Sequence, residues 1–440
     1  MQLSLHNRFD AMKKKIMCAM AALCLLGAAS AGTQNTTFTV KAEDSSFIET
    51  ALLPVWEGDT AYYETVLPVQ NEYGDVDPIT LLYPIAEVIS VQNAEMTVTY
   101  QEGVDYTVSS GRLIIADDGN IPSLSYTEFH PVTGQVGFES TDGGYVCFSE
   151  GTWFHKRQIV VTYKHTAEYK GYRPSGKDYL LPNIKQKLSN QEAIDMLVFG
   201  DSISVGANSS GFTGIAPFLP TYPELFKTGI ENQYGVTVHL TNPSVGGMGI
   251  DWGIQEIDGV LSQQADLDLA VVAFGMNDGR LDPDTFAQKA NQLVSAIHEK
   301  FPSADVLLVA TMLPNPTAKK FYLHQESFAD AMLANCEKQG VAVVNMTAMH
   351  ANLLTRKSYA DMTGNNVNHP NDYMARIYAQ TLLATLQKEA EQIPENNGNE
   401  SAVDSNASNS NGCKATAATI PACAITALGA AAILKKKKDE

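Results

Sequence analysis

Five short apolar runs alternate with helix-patterned segments between residues 192 and 390, and this alternation constrains the chain more than any other feature. The runs are Met196–Phe199, Val236–Leu240, Leu269–Phe274, Val306–Ala310 and Val341–Asn345. Strands buried on both faces of a parallel sheet read as continuous apolar stretches of this length. Between them, Thr285–Lys300 sets Phe286, Ala290, Leu293, Val294 and Ile297 on one helical face. Phe328–Lys338 carries Ala331, Met332 and Ala334 and stops before Gly340, and Tyr373–Leu386 closes the series. The pattern predicts an α/β domain with a five-stranded, parallel, doubly wound sheet. Chemistry in such a fold gathers beyond the C-terminal ends of the strands.

The preceding region, 37–170, reads differently. Thr37–Lys41, Glu95–Tyr100 and Arg157–Tyr163 alternate between apolar and polar residues. Tyr106–Val108 and Arg112–Ile115 flank the turn Ser109-Ser110-Gly111, which marks a hairpin. Gly143-Gly144 marks another turn, and no long stretch has helical periodicity. Many short strands with Gly and Asp turns predict an accessory β-sandwich.

The ends bear on location. Lys13-Lys14-Lys15 precede an apolar run from Ile16 to Ala29, and Ala29-Ser30-Ala31 offers the small residues that a signal peptidase reads. Residues 1–31 are therefore expected to be an export signal, with Met12 an alternative start. Residues 391–412 read as a solvated, disordered linker rich in Asn, Ser and Glu. Within 413–440, Ala415–Leu434 holds no charge and is followed by Lys435–Lys438, the pattern of a C-terminal membrane anchor that leaves the body outside the cell. Only Cys147 and Cys336 fall in the body, so this is not a disulfide scaffold, and no Cys/His cluster has metal-site spacing. With 49 acidic against 30 basic residues, the net charge of −19 argues against a nucleic-acid binder.

Polar residues cluster where the α/β strands end. The first strand runs into Gly200-Asp201-Ser202-Ile203-Ser204. A serine at such a strand-to-helix turn can present its hydroxyl to the crevice, although turns favour these residues for their own reasons. The second strand leads to Asn242-Pro243-Ser244-Val245-Gly246-Gly247-Met248-Gly249, whose glycines let backbone N–H groups approach a ligand. The third leads to Gly275-Met276-Asn277-Asp278, where an amide side chain can face an oxyanion. Asn368-His369-Pro370-Asn371-Asp372 precedes the last helix, which Asn371 or Asp372 can cap.

Gly200-Asp201-Ser202, the glycine after Asn242, Gly275-x-Asn277-Asp278 and His369-Pro370 together resemble the sequence blocks of the SGNH (GDSL) hydrolases, in order, over residues 192–390. The resemblance implies a flavodoxin-like sheet and ester hydrolysis without a metal or organic cofactor. It assigns Ser202 as nucleophile, His369 as base, and the Ser202 and Gly247 N–H groups with the Asn277 amide as the oxyanion hole. One position departs from the pattern. The family has Asp three residues before the His, and this chain has Asn366. An Asn oxygen can fix an imidazole tautomer but supplies no charge. Support for His369 is therefore expected from Asn366 or a backbone carbonyl, with Asp361 or Asp372 as alternatives. Asp201 is expected to brace the nucleophile loop, and His324 and His350 to sit at the surface or the rim of the site. Trp252 and Tyr222 are candidates for a platform under a sugar ring, with core packing the alternative.

A β region joined to such a domain resembles bacterial carbohydrate esterases, which implies O-acetylated polysaccharide as the partner substrate. A lipase or lysophospholipase is the second reading. A catalytically weak surface glycan-binding protein, suggested by Asn366, is the third.

Overall fold

The structure is a computed structural model that describes residues 42–132 and 137–389. The expected export signal, linker and C-terminal anchor, and the expected strand Thr37–Lys41, lie outside the described residues. Among the described residues, no helix is long and apolar enough to cross a membrane.

Helix α1 (Ala42–Ala51) leads into β1 (Thr60–Val66), which pairs antiparallel with β5 (Ile159–Lys164). On its other side β5 pairs with β2 (Glu87–Asn93), giving a three-stranded sheet of order β1-β5-β2. The hairpin β3 (Tyr106–Ser109) and β4 (Arg112–Ile115) stands apart from that sheet. Its two turn residues, Ser110 and Gly111, both have positive φ (52° and 74°), the geometry that matches a tight turn to the twist of its strands. Glu95–Tyr100, expected as a strand, is mostly a turn in which the Asn93 side chain accepts the N–H groups of Thr97 and Val98. Among the described residues, the N-terminal region is thus one three-stranded sheet with a separate hairpin. Ile159, Val161 and Tyr163 of β5 pack into the same apolar core as the last helix of the chain.

The remaining elements alternate. Helix α2 (Pro182–Asn190) precedes β6 (Ile194–Gly200), the short α3 (Ser202–Val205) and α4 (Tyr222–Tyr234). Then come β7 (Val238–Thr241), α5 (Ile250–Ser262), β8 (Leu269–Ala273), α6 (Pro283–Lys300), β9 (Asp305–Ala310), α7 (Gln325–Asn335), β10 (Val341–Asn345), α8 (Met346–Leu353) and α9 (Asp372–Thr385). All five strands are parallel, in the order β10-β9-β8-β6-β7. Strand order reverses at β6, whose neighbours β7 and β8 are the next two strands in the chain, so a crevice opens beyond the end of β6.

Side-chain alternation divides the apolar residues between the two faces. Met196 and Val198, Leu269 and Val271, Leu307 and Val309 point to the face covered by α4, α9 and the N-terminal region. Leu197 and Phe199, Ala270 and Val272, Val306 and Leu308 point to the face covered by α5, α6 and α7. Both faces of β6, β8, β9 and β10 are buried, which is why those strands carry no polar period, whereas the edge strand β7 alternates, with Val238 buried and His239 exposed.

The two regions are joined by polar contacts as well as by the shared core. Arg376 on α9 donates to the carbonyls of Ala51, Tyr62 and Tyr63. Gln380 donates to those of Ala51 and Leu53. Lys357 and Glu64, both fully buried, form an ion pair at 2.7 Å.

Candidate active site

The site begins at Gly200, the last residue of β6. A Cβ there would overlap the Ala273 carbonyl and the Ser204 hydroxyl, so the strand can turn this sharply only with glycine. Asp201 caps the turn, its carboxylate accepting the Ile203 N–H at 2.9 Å. It is fully buried, and burial pushes its carboxyl up to about 7, with neighbouring Asp278 adding to the rise. It therefore braces the loop, as expected, and leaves Ser202 facing outward from the strand end.

The loop after β7 is tied back onto this turn. The Asn242 amide donates to the Ser204 carbonyl at 2.8 Å, and the Ser244 hydroxyl accepts the Gly200 N–H at 2.9 Å. These bonds bring Gly246 beside the turn that carries Ser202, where a Cβ on it would lie 3.6 Å from the Ser202 side chain. Gly247 follows with φ 77° and is exposed. Asn277, also exposed, donates to the Met248 carbonyl at 2.9 Å, so the loops after β7 and β8 hold one another.

Asp278 fixes the next helix. Its Oδ1 accepts the Ile250 N–H at 2.9 Å, and Gly249 lacks the Cβ that would overlap that carboxylate. The second carboxylate oxygen is buried without a hydrogen-bond partner. Burial raises the Asp278 carboxyl to about 6. The folded chain then keeps a proton on Asp278 between pH 4 and 6 that the unfolded chain releases, so stability is lost as pH rises through this window. Asp278→Asn has no such loss. Relative to the native chain it should gain about 3 kcal/mol of stability between pH 4 and pH 7, read from urea titrations at the two values. An unchanged difference would mean that the carboxyl is not held protonated.

His369 arrives on a loop of residues 364–369 closed by a bridge between Thr363 and Pro370. Inside it, the Asn365 oxygen accepts the N–H groups of Val367, Asn368 and His369 at 3.0, 3.0 and 3.1 Å. Asn371 then caps α9 by accepting the Met374 N–H. This scaffold sets His369 Nε2 at 2.8 Å from Ser202 Oγ, with both residues largely buried.

What lies behind the ring differs from expectation. Asn366 does not face it. Held at φ 62°, Asn366 turns away and donates to the Cys147 carbonyl at 3.1 Å, while its own carbonyl accepts from Asn315 at 2.7 Å. Neither alternative acid reaches the ring. Asp361 accepts the Leu67 N–H, and Asp372 accepts the Ser210 N–H. The partners of Nδ1 are Asn208 Oδ1 at 2.5 Å and Glu150 Oε2 at 3.3 Å. Asn208 follows α3, and Glu150 belongs to the N-terminal region.

The hydrogen bonds fix the tautomer. The Asn208 amide nitrogen points at the carbonyls of Gly151 (3.1 Å) and Gly364 (3.5 Å), so its oxygen faces the ring and can only accept. The Asn365 amide nitrogen also lies 3.0 Å from Nδ1, but Glu150 Oε1 at 3.1 Å and Asn368 Oδ1 at 2.9 Å take its two hydrogens. Nδ1 therefore carries the proton, and Nε2 is free to accept the Ser202 hydroxyl.

The two aromatic candidates do not form a platform. Tyr222 is buried, its hydroxyl 2.7 Å from Ser204 Oγ and its ring against Tyr378, because the first turn of α4 faces the core. Trp252 is half-buried and packs on Phe199 and Phe274 between α5 and the sheet. His350 is not at a rim. It is fully buried, Nδ1 accepts the Leu313 N–H, and burial lowers its pKa to about 3. His324 is exposed, with its ring at the Leu281 carbonyl.

A serine hydroxyl, an imidazole of fixed tautomer and a glycine- and amide-lined loop at the reversal point of a parallel sheet define a carboxylic ester hydrolase domain of the serine type. Residues 198–377 match the model of the GDSL-like lipase/acylhydrolase family. Among solved structures, a two-domain esterase active on acetylated mannans is 19% identical, with 49% of this chain and 55% of that one aligned and a TM-score of 0.40. This chain thus spans little more than half the length of that esterase. A carbohydrate acetylesterase from Sinorhizobium meliloti is 15% identical over 43% of this chain and 96% of its own, with a TM-score of 0.34. A lipolytic protein of the G-D-S-L family from Veillonella parvula is 18% identical over 42% of this chain and 95% of its own, TM-score 0.33. No curated protein matches the chain.

Proposed function

We propose that the protein is an extracellular serine esterase that removes O-acetyl groups from polysaccharide. Ser202 attacks the ester carbonyl while His369 Nε2 takes its proton. The oxyanion of the tetrahedral intermediate accepts from the Ser202 and Gly247 N–H groups and from the amide hydrogen of Asn277 that Met248 leaves free. The imidazolium protonates the departing alcohol, and water, activated by the same ring, releases the acid. The observation that carries this reading is the 2.8 Å contact between Ser202 and the unprotonated nitrogen of His369.

The basic and apolar run at 13–29 supports export, and Ala415–Leu434 with its Lys cluster supports a tether at the cell surface. The joining of an N-terminal β region to the hydrolase domain supports a carbohydrate ester, and the net charge of −19 favours an uncharged polymer over an anionic one.

The test has two arms. A fluorophosphonate should label the chain once, at Ser202. Acetyl nitrophenyl ester should turn over faster than the decanoyl ester, with acetate released from acetylated mannan or xylan. Preference for the long chain would replace this reading with a lipase. Absence of label and turnover, with glycan binding retained, would replace it with a binding protein.

A further inference from the structure

From the contacts behind His369 we infer that Glu150, supplied by the N-terminal region, is the positioning acid of the active site and stands in for the aspartate that Asn366 replaces. The inference rests on the Ser202–His369 reading and adds a role for the first region of the chain.

Three amides from the hydrolase domain hold the segment that carries Glu150. Asn366 binds the Cys147 carbonyl, Asn208 binds the Gly151 carbonyl, and Asn365 binds Glu150 Oε1. Gly151, with φ 80°, makes the turn that follows. The position that lost its acid thus anchors the segment that brings another one. Glu150 Oε2 is left 3.3 Å from Nδ1, beside the closer Asn208 oxygen. Asn208 and Glu150 divide what one aspartate does elsewhere: the amide oxygen fixes the tautomer at short range, and the carboxylate supplies charge when the ring becomes an imidazolium. Partial burial pushes the Glu150 carboxyl up, but the hydrogen bond and charge of His369, with the Asn365 and Asn208 amides, together bring it below its usual range. It is therefore ionised at neutral pH. The proton passes between Ser202, His369 and the leaving alcohol, and no bond forms or breaks at Glu150.

The Glu150 side chain is about half exposed, 49%, so solvent screens its charge and the effect is smaller than for a buried aspartate. In the full chain, Glu150→Gln should lower kcat about 10- to 100-fold with KM within two-fold of native and an unchanged denaturation midpoint. Glu150→Asp should recover part of the loss. Native kcat in Glu150→Gln, alongside an inert Ser202→Ala control, would overturn the inference and leave the esterase reading standing. A rise in KM as large as the fall in kcat would also overturn it, by making Glu150 a substrate contact. Native turnover in Ser202→Ala would remove the underlying reading itself.

Discussion

His369→Ala should lower kcat on an acetyl ester by about four to six orders of magnitude while KM changes little. The reason is geometric. The ring is the group within reach of the Ser202 hydroxyl at 2.8 Å, and a serine without a base is a poor nucleophile at neutral pH. Ser202→Ala should lose as much, and the double variant no more than either single one, because the two side chains act as one unit. The residual rate, still above that in water, would come from the proposed oxyanion donors around Gly247 and Asn277 and from substrate binding. Asn366→Ala provides the contrast. Its amide binds Cys147 and not the ring, so its effect should reach kcat only through the Glu150 segment and fall well short of the loss at His369. Initial-rate kinetics on all four variants decide the matter. Additive losses in the double variant would show that Ser202 and His369 do not work together.

The sequence carries the parallel sheet plainly, for a physical reason. Strands covered on both faces cannot afford polar positions, so the runs of β6, β8, β9 and β10 are each marked within their own few residues, and Val341–Asn345 matches its strand end to end. The groups at the strand ends are also local. Gly200, Asp201 and Ser202 are adjacent, and the turn they form uses Gly200 for its close approach and Asp201 as its cap. Support for His369 is of another kind. Glu150 and His369 lie 219 positions apart, and nothing around Glu150, in a short turn of Phe, Ser, Gly and Thr, distinguishes it from a surface acid. The substitution at Asn366 reveals that a charge is missing, but not where it comes from. The N-terminal region was legible as β-structure and as a hairpin. That its three-stranded sheet packs against α9 and the residues around it was not, because that layer comes from a distant part of the chain. The roles of Tyr222 and His350 were hidden for the same reason: burial is decided by the packing partner, and both side chains face a core shared between distant segments.

Lys357→Met should destabilise the full chain by about 3–5 kcal/mol. Lys357 donates to Glu64 Oε1 at 2.7 Å and to the Thr65 carbonyl at 2.9 Å, and neither side chain has contact with solvent. Glu64 also accepts the Leu82 N–H and the Tyr163 hydroxyl, each at 2.8 Å. Removing the ammonium leaves a buried carboxylate whose remaining partners are neutral, which is the costly way to break such a pair. Replacing both partners, as Glu64→Leu with Lys357→Met, should cost less than Lys357→Met alone. What remains is chiefly the Leu82 N–H without its acceptor, at about 1–3 kcal/mol, because the Tyr163 hydroxyl still accepts the Tyr83 N–H at 3.0 Å. The pair joins β1 to the segment leading to His369, so the same experiment asks whether the two regions fold as a unit. Their common apolar core predicts one denaturant transition for both, displaced as a whole in the variant. A second transition remaining at the native midpoint would mean that the N-terminal region is an independent module. It would then be hard to see how its Glu150 could be held against the His369 ring.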